Sequence, residues 1–417
     1  MQATSSVFSD GASAQASTLR RPEFQLLLGC LRSQHGTLPP EVASPDLDWS
    51  WLLQAAQRHS VLPLVYRALG QHSGVPQPVR ETLESVFRQS AYRSLFLTAE
   101  LMRLLDGFAE HGISVLPYKG PTLAQSLYGD IALRSFSDLD LLVRVGDVQR
   151  ATEALETLGY AADPPVPLAR RSAHLASASE QMFRRSAGAA LVELQWRIAP
   201  RYFAVDFDFE GFWQTAVRAS LGSGEVPALA PDALLLVLAV HGAKHKWESL
   251  VWIADIAQLL HKYPGLDWDS ISRRARALGI ERLLFLALAL AGELLGAELP
   301  GPVAHSVASD PNIASLCRAV QRNLACEVRG VPNLSDHWFS LRGRERWRDR
   351  WRYVARLGLT PNPQDWALLP LPPALAPLYF GIRPLRLLSR TMRSAGRRAF
   401  GAAAAPASGS GGNAADR

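Results

Sequence analysis

The sequence predicts an α+β fold in which a small strand-containing core is flanked by mainly helical N- and C-terminal regions. Apolar residues recur at the i, i+3, i+4 spacing of amphipathic helices through residues 22–110 and again through 231–295. Between these stretches the period changes. Residues 113–118 form a short apolar run, and residues 137–143 and 191–198 alternate apolar and polar, as half-buried strands do.

Composition sets the frame. With 417 residues, 48% hydrophobic and 20% charged, the chain has material for two or three packed units and too little charge for a disordered one. Cys30, Cys317 and Cys326 are widely scattered and form no C-x-x-C pair, which argues against a disulfide framework or a zinc ribbon and fits a reducing cytoplasm. The opening residues lack a basic segment followed by an apolar one, so 1–21 reads as a disordered leader rather than a secretory signal. The longest apolar stretches, 233–240 and 283–292, are far shorter than the ~20 residues of a bilayer-spanning helix. A cytoplasmic location is therefore expected. The net charge is +6, and residues 342–398 hold thirteen arginines against Glu345, Asp349 and Asp365. Such a basic end attracts anionic partners, although an all-arginine bias in the underlying genome gives the same pattern.

In chain order, Phe24, Leu27, Leu28 and Leu31, then Trp51, Leu52, Ala55 and Ala56, mark short helices. A longer pattern from Pro78 to Glu110 predicts one or two amphipathic helices ending near Gly112. Ile113–Tyr118 reads as a strand that stops at Lys119-Gly120-Pro121, and Pro121 suits the start of a helix running to Tyr128 and closed by Gly129. In Ser137–Val143, Asp138 and Asp140 share one face while Leu139, Leu141 and Val143 share the other. A helix over Val148–Leu158 follows. In Leu191–Ile198, Val192, Leu194, Trp196 and Ile198 share a face opposite Glu193 and Gln195. Residues 231–260 and 271–295 read as strongly apolar helices, and 401–417, rich in Ala, Gly and Ser, as a flexible tail.

Two carboxylates side by side on one strand face suit a divalent cation, because Mg2+ takes one or two carboxylates together with substrate phosphates and water. Glu193 is the candidate third acid on a neighbouring strand. Lys119 and Gly120 stand at a strand-to-helix turn, where backbone N–H groups and the helix dipole favour anions and glycine admits a phosphate close to the backbone. Arg134, just upstream of the aspartates, suits neutralisation of phosphate charge. Tyr128 and Asp130 are expected to serve structure, as a packed aromatic and a loop cap. His241 and His245 lie four apart, so a helix puts them on one face, which Lys244, Glu248, Trp252 and Asp255 extend. An H-x-x-x-H pair can chelate zinc, but no H-E-x-x-H pattern and no nearby third ligand is present. The stripe His241, Lys244, His245 and Asp255 is expected to line a substrate cleft. Walker A, G-x-S-x-G and kinase motifs are missing. Trp347, Trp351 and Tyr353, interleaved with arginines, are expected to form the packed aromatic face of a helix rather than a nucleic-acid contact.

The run Leu116-Pro-Tyr-Lys-Gly-Pro-Thr-Leu-Ala, with Leu127-Tyr-Gly-Asp, Arg134 and Phe136-Ser-Asp-Leu-Asp-Leu-Leu-Val143, resembles the uncharacterised nucleotidyltransferase family of the polymerase-β-like superfamily. The likeness continues through Val192-Glu-Leu-Gln-Trp196, His241-Gly-Ala-Lys-His-Lys-Trp247, Trp252, Asp255, the 360–366 stretch and Arg383-Pro-Leu-Arg-Leu387, and so spans most of 22–390. The resemblance implies a small mixed-sheet nucleotidyltransferase core with Asp138 and Asp140 as metal ligands and Glu193 as third carboxylate. Two departures stand out. Lys119-Gly120 precedes Pro121 where the superfamily usually has Gly-Ser, and Gln195 stands where the strand more often reads His.

The expected organisation is a leader (1–21), a helical N-terminal region (22–95), the core (96–200), a helical domain (201–330), a basic helical C-terminal region (331–400) and a tail (401–417). The expected reaction transfers a nucleoside monophosphate from an NTP to an acceptor hydroxyl with Mg2+ or Mn2+ as cofactor. The acceptor is open among a small molecule, a glycan, a protein and a nucleic acid. The alternative is a catalytically silent protein that keeps the fold as a binding or partner module of a surface-polysaccharide or toxin-antitoxin system. For 366–392, peripheral membrane contact and packing on the body of the protein are both open.

Overall fold

The computed structural model describes residues 19–32, 46–167, 170–185, 190–325, 334–361, 365, 375 and 378–386. The leader up to residue 18, Cys326, the tail at 401–417 and most of 366–392 lie outside the described residues.

The chain opens with helices α1 (Pro22–Arg32), α2 (Trp49–Arg58), α3 (Leu62–Leu69) and the single long helix α4 (Gln77–Glu110). The side chain of Asp48 caps α2 by accepting from the Trp51 backbone N–H. Next come β1 (Val115–Pro117), α5 (Gly120–Tyr128), β2 (Asp138–Val143), α6 (Val148–Thr157), β3 (Tyr160–Ala162), α7 (Arg171–Ser177), β4 (Glu180–Arg185) and β5 (Leu191–Gln195). After α8 (Phe209–Gln214) and the hairpin β6 (Val217–Leu221) and β7 (Gly224–Ala228), the chain is helical: α9 (Pro231–Lys244), α10 (Leu250–Lys262), α11 (Trp268–Leu278) and α12 (Glu281–Leu295). Four more helices follow, α13 (Gly301–Ser309), α14 (Ile313–Ala325), α15 (Leu334–Arg342) and α16 (Trp347–Leu359). None of the helices among the described residues is long and apolar enough to cross a membrane.

The sheet is five-stranded and mixed, in the order β1-β2-β5-β4-β3. β2 and β5 run parallel at its centre, and the other pairings are antiparallel. Its two faces meet different surroundings. Leu139, Leu141, Val143, Val192, Leu194 and Phe183 join Leu101, Leu104 and Phe108 of α4 and Ala151 and Leu155 of α6 in one apolar cluster. The opposite face, which carries Asp138, Asp140, Glu193 and Gln195, looks toward the helical body. Alternation at a period of two thus sends the apolar residues to one side and the acids to the other.

A second and larger core joins residues from α1, α2 and α3 to residues from α9, α10, α12 and α14. The helical stretches on either side of the sheet therefore form one body. Polar ties reinforce it: Ser249 Oγ donates to His59 O (2.7 Å) and Arg32 Nε to Leu294 O (2.8 Å).

The structure corrects several expectations. The 231–260 helix is broken at His245–Ser249, where Lys246 and Trp247 both take φ of +54° and turn the chain. The 271–295 helix is likewise two, separated at Gly279, whose φ of +68° ends α11. Strands β3, β4, β6 and β7 were not expected, and the boundary at 95/96 falls inside α4. Ile198 leaves the face of Val192 and Leu194 and joins the larger core. Trp347 and Trp351 are 79% and 67% exposed, so only Tyr353 of that trio packs inward.

The break at 245–249 depends on a close approach. Trp247 is fully buried, and its ring lies where a Cβ on Gly242 would come within 2.5 Å of it. Gly242→Ala should therefore lower the unfolding free energy by about 1–3 kcal/mol, the usual range for overpacking. Urea unfolding measures this, and an unchanged midpoint would contradict the packing described.

Candidate active site

The register of the central strands builds the site. Parallel pairing places Asp140 opposite Glu193 and Asp138 opposite Leu191. Gln195, two residues beyond Glu193, shares its face and joins the acids: its Nε2 donates to Asp140 Oδ1 (2.8 Å) and to Glu193 Oε2 (2.9 Å). The Oε1 of Gln195 accepts from Tyr118 OH (2.6 Å), which orients the amide with its donors toward the carboxylates.

Lys119 completes this group. It lies two residues past the end of β1, in extended backbone, and precedes Gly120, whose φ is +56°. A Cβ on Gly120 would stand 3.3 Å from the Asp138 carbonyl oxygen, so glycine lets the turn close against the start of β2. The turn delivers Lys119 Nζ to 2.5 Å from Asp140 Oδ1, with the lysine side chain 11% exposed and the aspartate 2%.

Burial, and after it the crowding of like charge, governs the electrostatics. Burial, then Asp140, Glu180 and Asp138, push the Glu193 carboxyl up to about 8. Burial and the neighbouring Asp140 also raise Asp138. Burial opposes the charge on Lys119, yet Asp140 and Asp138 outweigh it and hold the ammonium above its ordinary value. His241 is driven well below its ordinary value by burial and then by Lys119, so its imidazole is neutral.

These groups open into a cleft of about 660 Å³ between the sheet and the helices. Lys119, Gly120, Arg134, Asp138, Asp140 and Glu193 form one wall, and His241, Lys244 and His245 another. Trp252 also lines the cleft, its ring 5.5 Å from His241 and 5.2 Å from His245. Asp255 does not. It is fully buried behind the wall, where it accepts from Arg134 Nε (2.8 Å) and Nη2 (2.9 Å) and from Tyr128 OH (2.9 Å). The expectation for Asp255 as a cleft residue is thus corrected: an apolar interior has nothing else to satisfy a carboxylate, so it pairs with Arg134. Arg134 still borders the cleft, with two donors committed to this pair. Glu248 also leaves the stripe, because the chain turns after α9 and its carboxylate meets Lys246 (2.8 Å). Asp130 caps its loop by accepting from the Ala132 N–H (2.8 Å).

Residues not singled out from sequence also reach the cleft. Glu180, at the start of β4, lies 3.9 Å from Lys244. Arg93 of α4 donates to Ser137 O (3.0 Å) and holds the loop that leads into Asp138. The polar run Glu180–Arg185 buries only Phe183, so the alternation that marks a strand is weak there.

The acids themselves offer oxygen ligands, which suit a hard divalent cation. Burial and the neighbouring acids make two of the carboxyls hold protons more tightly than usual. Among the described residues, no three His, Cys, Asp or Glu side chains stand ready as a metal cluster. At Asp140 the ammonium of Lys119 occupies the place beside the carboxylate. The chemistry of the set fits a divalent ion once that ammonium moves.

The family model described as uncharacterised nucleotidyltransferase matches residues 45–296, from α2 to the end of α12, and so contains every residue of the cleft. No curated protein and no solved structure matches the chain.

A pH dependence follows from Glu193. Its ordinary value is 4.5 and its value in the fold about 8, so between these the unfolded chain has lost a proton that the folded chain keeps. The stabilisation is complete below about 4.5 and is lost as pH rises toward 8. The raised Asp138 acts in the same direction. In chelator, the thermal midpoint should fall across this window, and Glu193→Gln should flatten the fall. Equal slopes for variant and wild type would contradict the charge crowding.

Proposed function

This chain belongs to the uncharacterised nucleotidyltransferase family, and we propose that its cleft is a metal-dependent active site that transfers a nucleoside monophosphate from an NTP to an acceptor hydroxyl. The observation that carries this reading is the in-register placement of Asp140 beside Glu193, with Asp138 on the same face. The acceptor oxygen forms a bond to the α-phosphorus, the bond from that phosphorus to the β-phosphate bridging oxygen breaks, and pyrophosphate leaves. Asp138, Asp140 and Glu193 would hold Mg2+ or Mn2+. Bound there, such an ion neutralises triphosphate charge and makes the acceptor hydroxyl more acidic.

The chain's own groups supply the rest. Lys119 and the Gly120 end of α5 receive phosphate oxygens, by charge and by the N-terminal end of the helix dipole. One carboxylate of the acid set, facing the cleft, would also help to take the acceptor's proton. Arg134, fixed by Asp255, presents positive charge at the cleft wall without a search among rotamers. The neutral His241, with His245 and Trp252, offers a flat, hydrogen-bonding wall to a base or acceptor.

One observation favours a catalytically silent binding protein instead: the Lys119 ammonium already supplies the Asp140 carboxylate with a counter-charge. Pyrophosphate release separates the two readings. Replacing Asp138 and Asp140 with Asn should abolish Mg2+-dependent release of pyrophosphate, a larger loss than the roughly 10–100-fold from removing an outer partner of a metal ligand. The single variants should differ in stability. Asp138→Asn should hold or raise the thermal midpoint by relieving like-charge crowding, and Asp140→Asn should lower it by leaving the buried Lys119 ammonium without its counter-charge. Wild-type turnover in the double variant would rule out this site.

A further inference from the structure

Resting on the metal-dependent reading above, we propose that Lys119 is a built-in counter-ion that holds the place of the metal at Asp140 until a nucleotide arrives and draws it away. The cleft gathers Asp138, Asp140, Glu193 and Glu180 in partial burial. Three other cations at its wall are engaged elsewhere, Arg134 with Asp255, Arg93 with the Ser137 carbonyl and Lys244 with Glu180 (3.9 Å). Lys119 is the cation placed against the β2 acids, 2.5 Å from an Asp140 oxygen that Gln195 also donates to.

An ammonium and a divalent cation against one carboxylate repel each other, so the lysine held there weakens the binding of the metal. Lysine, unlike arginine, carries a compact charge on a flexible four-carbon stem and can change partner by rotating that stem. Its backbone stays where it is, since Gly120 locks the turn against the Asp138 carbonyl. The receiving partner lies within reach, because the same turn forms the start of α5, where the helix end attracts anions. A triphosphate docked there competes with Asp140 for the ammonium, and the freed carboxylate becomes available to the metal. The site thus rejects free divalent ions and accepts them with the nucleotide, which couples the two ligands reciprocally.

The test uses the full chain and Mn2+ alone, followed by electron paramagnetic resonance, with circular dichroism to show that each variant is folded. Without nucleotide, Lys119→Gln, which keeps a hydrogen bond to Asp140 but no charge, should bind Mn2+ roughly tenfold more tightly than wild type. Lys119→Arg, which keeps the charge, should stay close to wild type. Lys119→Gln should also bind an unreactive ATP analogue more weakly in the absence of metal. Mn2+ binding that is equal in wild type and Lys119→Gln, or weaker in the variant, overturns the counter-ion role while leaving the metal site standing. Mn2+ binding by neither protein, with or without the analogue, overturns the metal-dependent reading together with it. Should Lys119→Gln fail to fold, side-chain ammonium NMR of the wild type decides. The Lys119 signal should shift with Mg2+ plus the analogue and stay put with Mg2+ alone, and a signal unmoved in both overturns the proposal.

Discussion

The pairing of two parallel strands, β2 on β5, sets a problem that the surrounding structure is arranged to answer. In that register Asp140 faces Glu193, and the pleat brings Asp138 to the same side. Carboxylates crowded on a partly buried face repel each other and lose hydration, so they need positive charge, protons or donors. Gln195 gives one amide hydrogen-bond donor group to both acids, Tyr118 fixes the amide's orientation, and Lys119 brings a charge. Burial and this shortfall appear in the raised proton affinity of Glu193 and Asp138. A fold that keeps such a cluster concentrates unfavourable electrostatics at one place, which is where a cationic ligand gains most by binding.

The walls of the cleft come from distant parts of the chain, and a buried ion pair joins them. Arg134, in the loop before β2, and Asp255, on α10, are 121 residues apart in sequence and meet through two hydrogen bonds. Tyr128 adds a third bond from the end of α5. Such a pair contributes little net stability against an apolar alternative, but a register shift would strand a charge in the interior. It therefore specifies one seating of the sheet on the helical body. The shared core of the N- and C-terminal helices gives that body its rigidity, and the Gly242–Trp247 contact sets the bend that carries α9 into α10 along the cleft.

The parts of the site legible in sequence are those set by local periodicity. Asp138, Asp140 and Glu193 stood out because Leu139, Leu141, Val192 and Leu194 alternate with them and must be buried. His241 and His245 share a face because they sit a helical turn apart, and Gly120 and Gly129 were readable as punctuation, both with positive φ. What stayed hidden depends on contacts far apart in the chain. The partner of Lys119 is fixed by the β1-β2-β5 order, which no local pattern encodes. The turn at Lys246 and Trp247 places non-glycine residues at positive φ, the opposite of the usual signal. The strand bearing Glu180 has one buried apolar residue, and so little alternation to read. The exposure of Trp347 and Trp351 was missed because amphipathic spacing says which residues share a face, not whether anything covers it.

On the function proposed, the acids on β2 and β5 and the turn at Lys119–Gly120 hold one metal–nucleotide complex. Anomalous scattering from crystals of the full chain soaked with Mn2+ and an unreactive NTP analogue tests it most directly. The account predicts a manganese peak among Asp138, Asp140 and Glu193, with the triphosphate over the start of α5. Manganese or nucleotide found elsewhere, with these carboxylates uncoordinated, would contradict it.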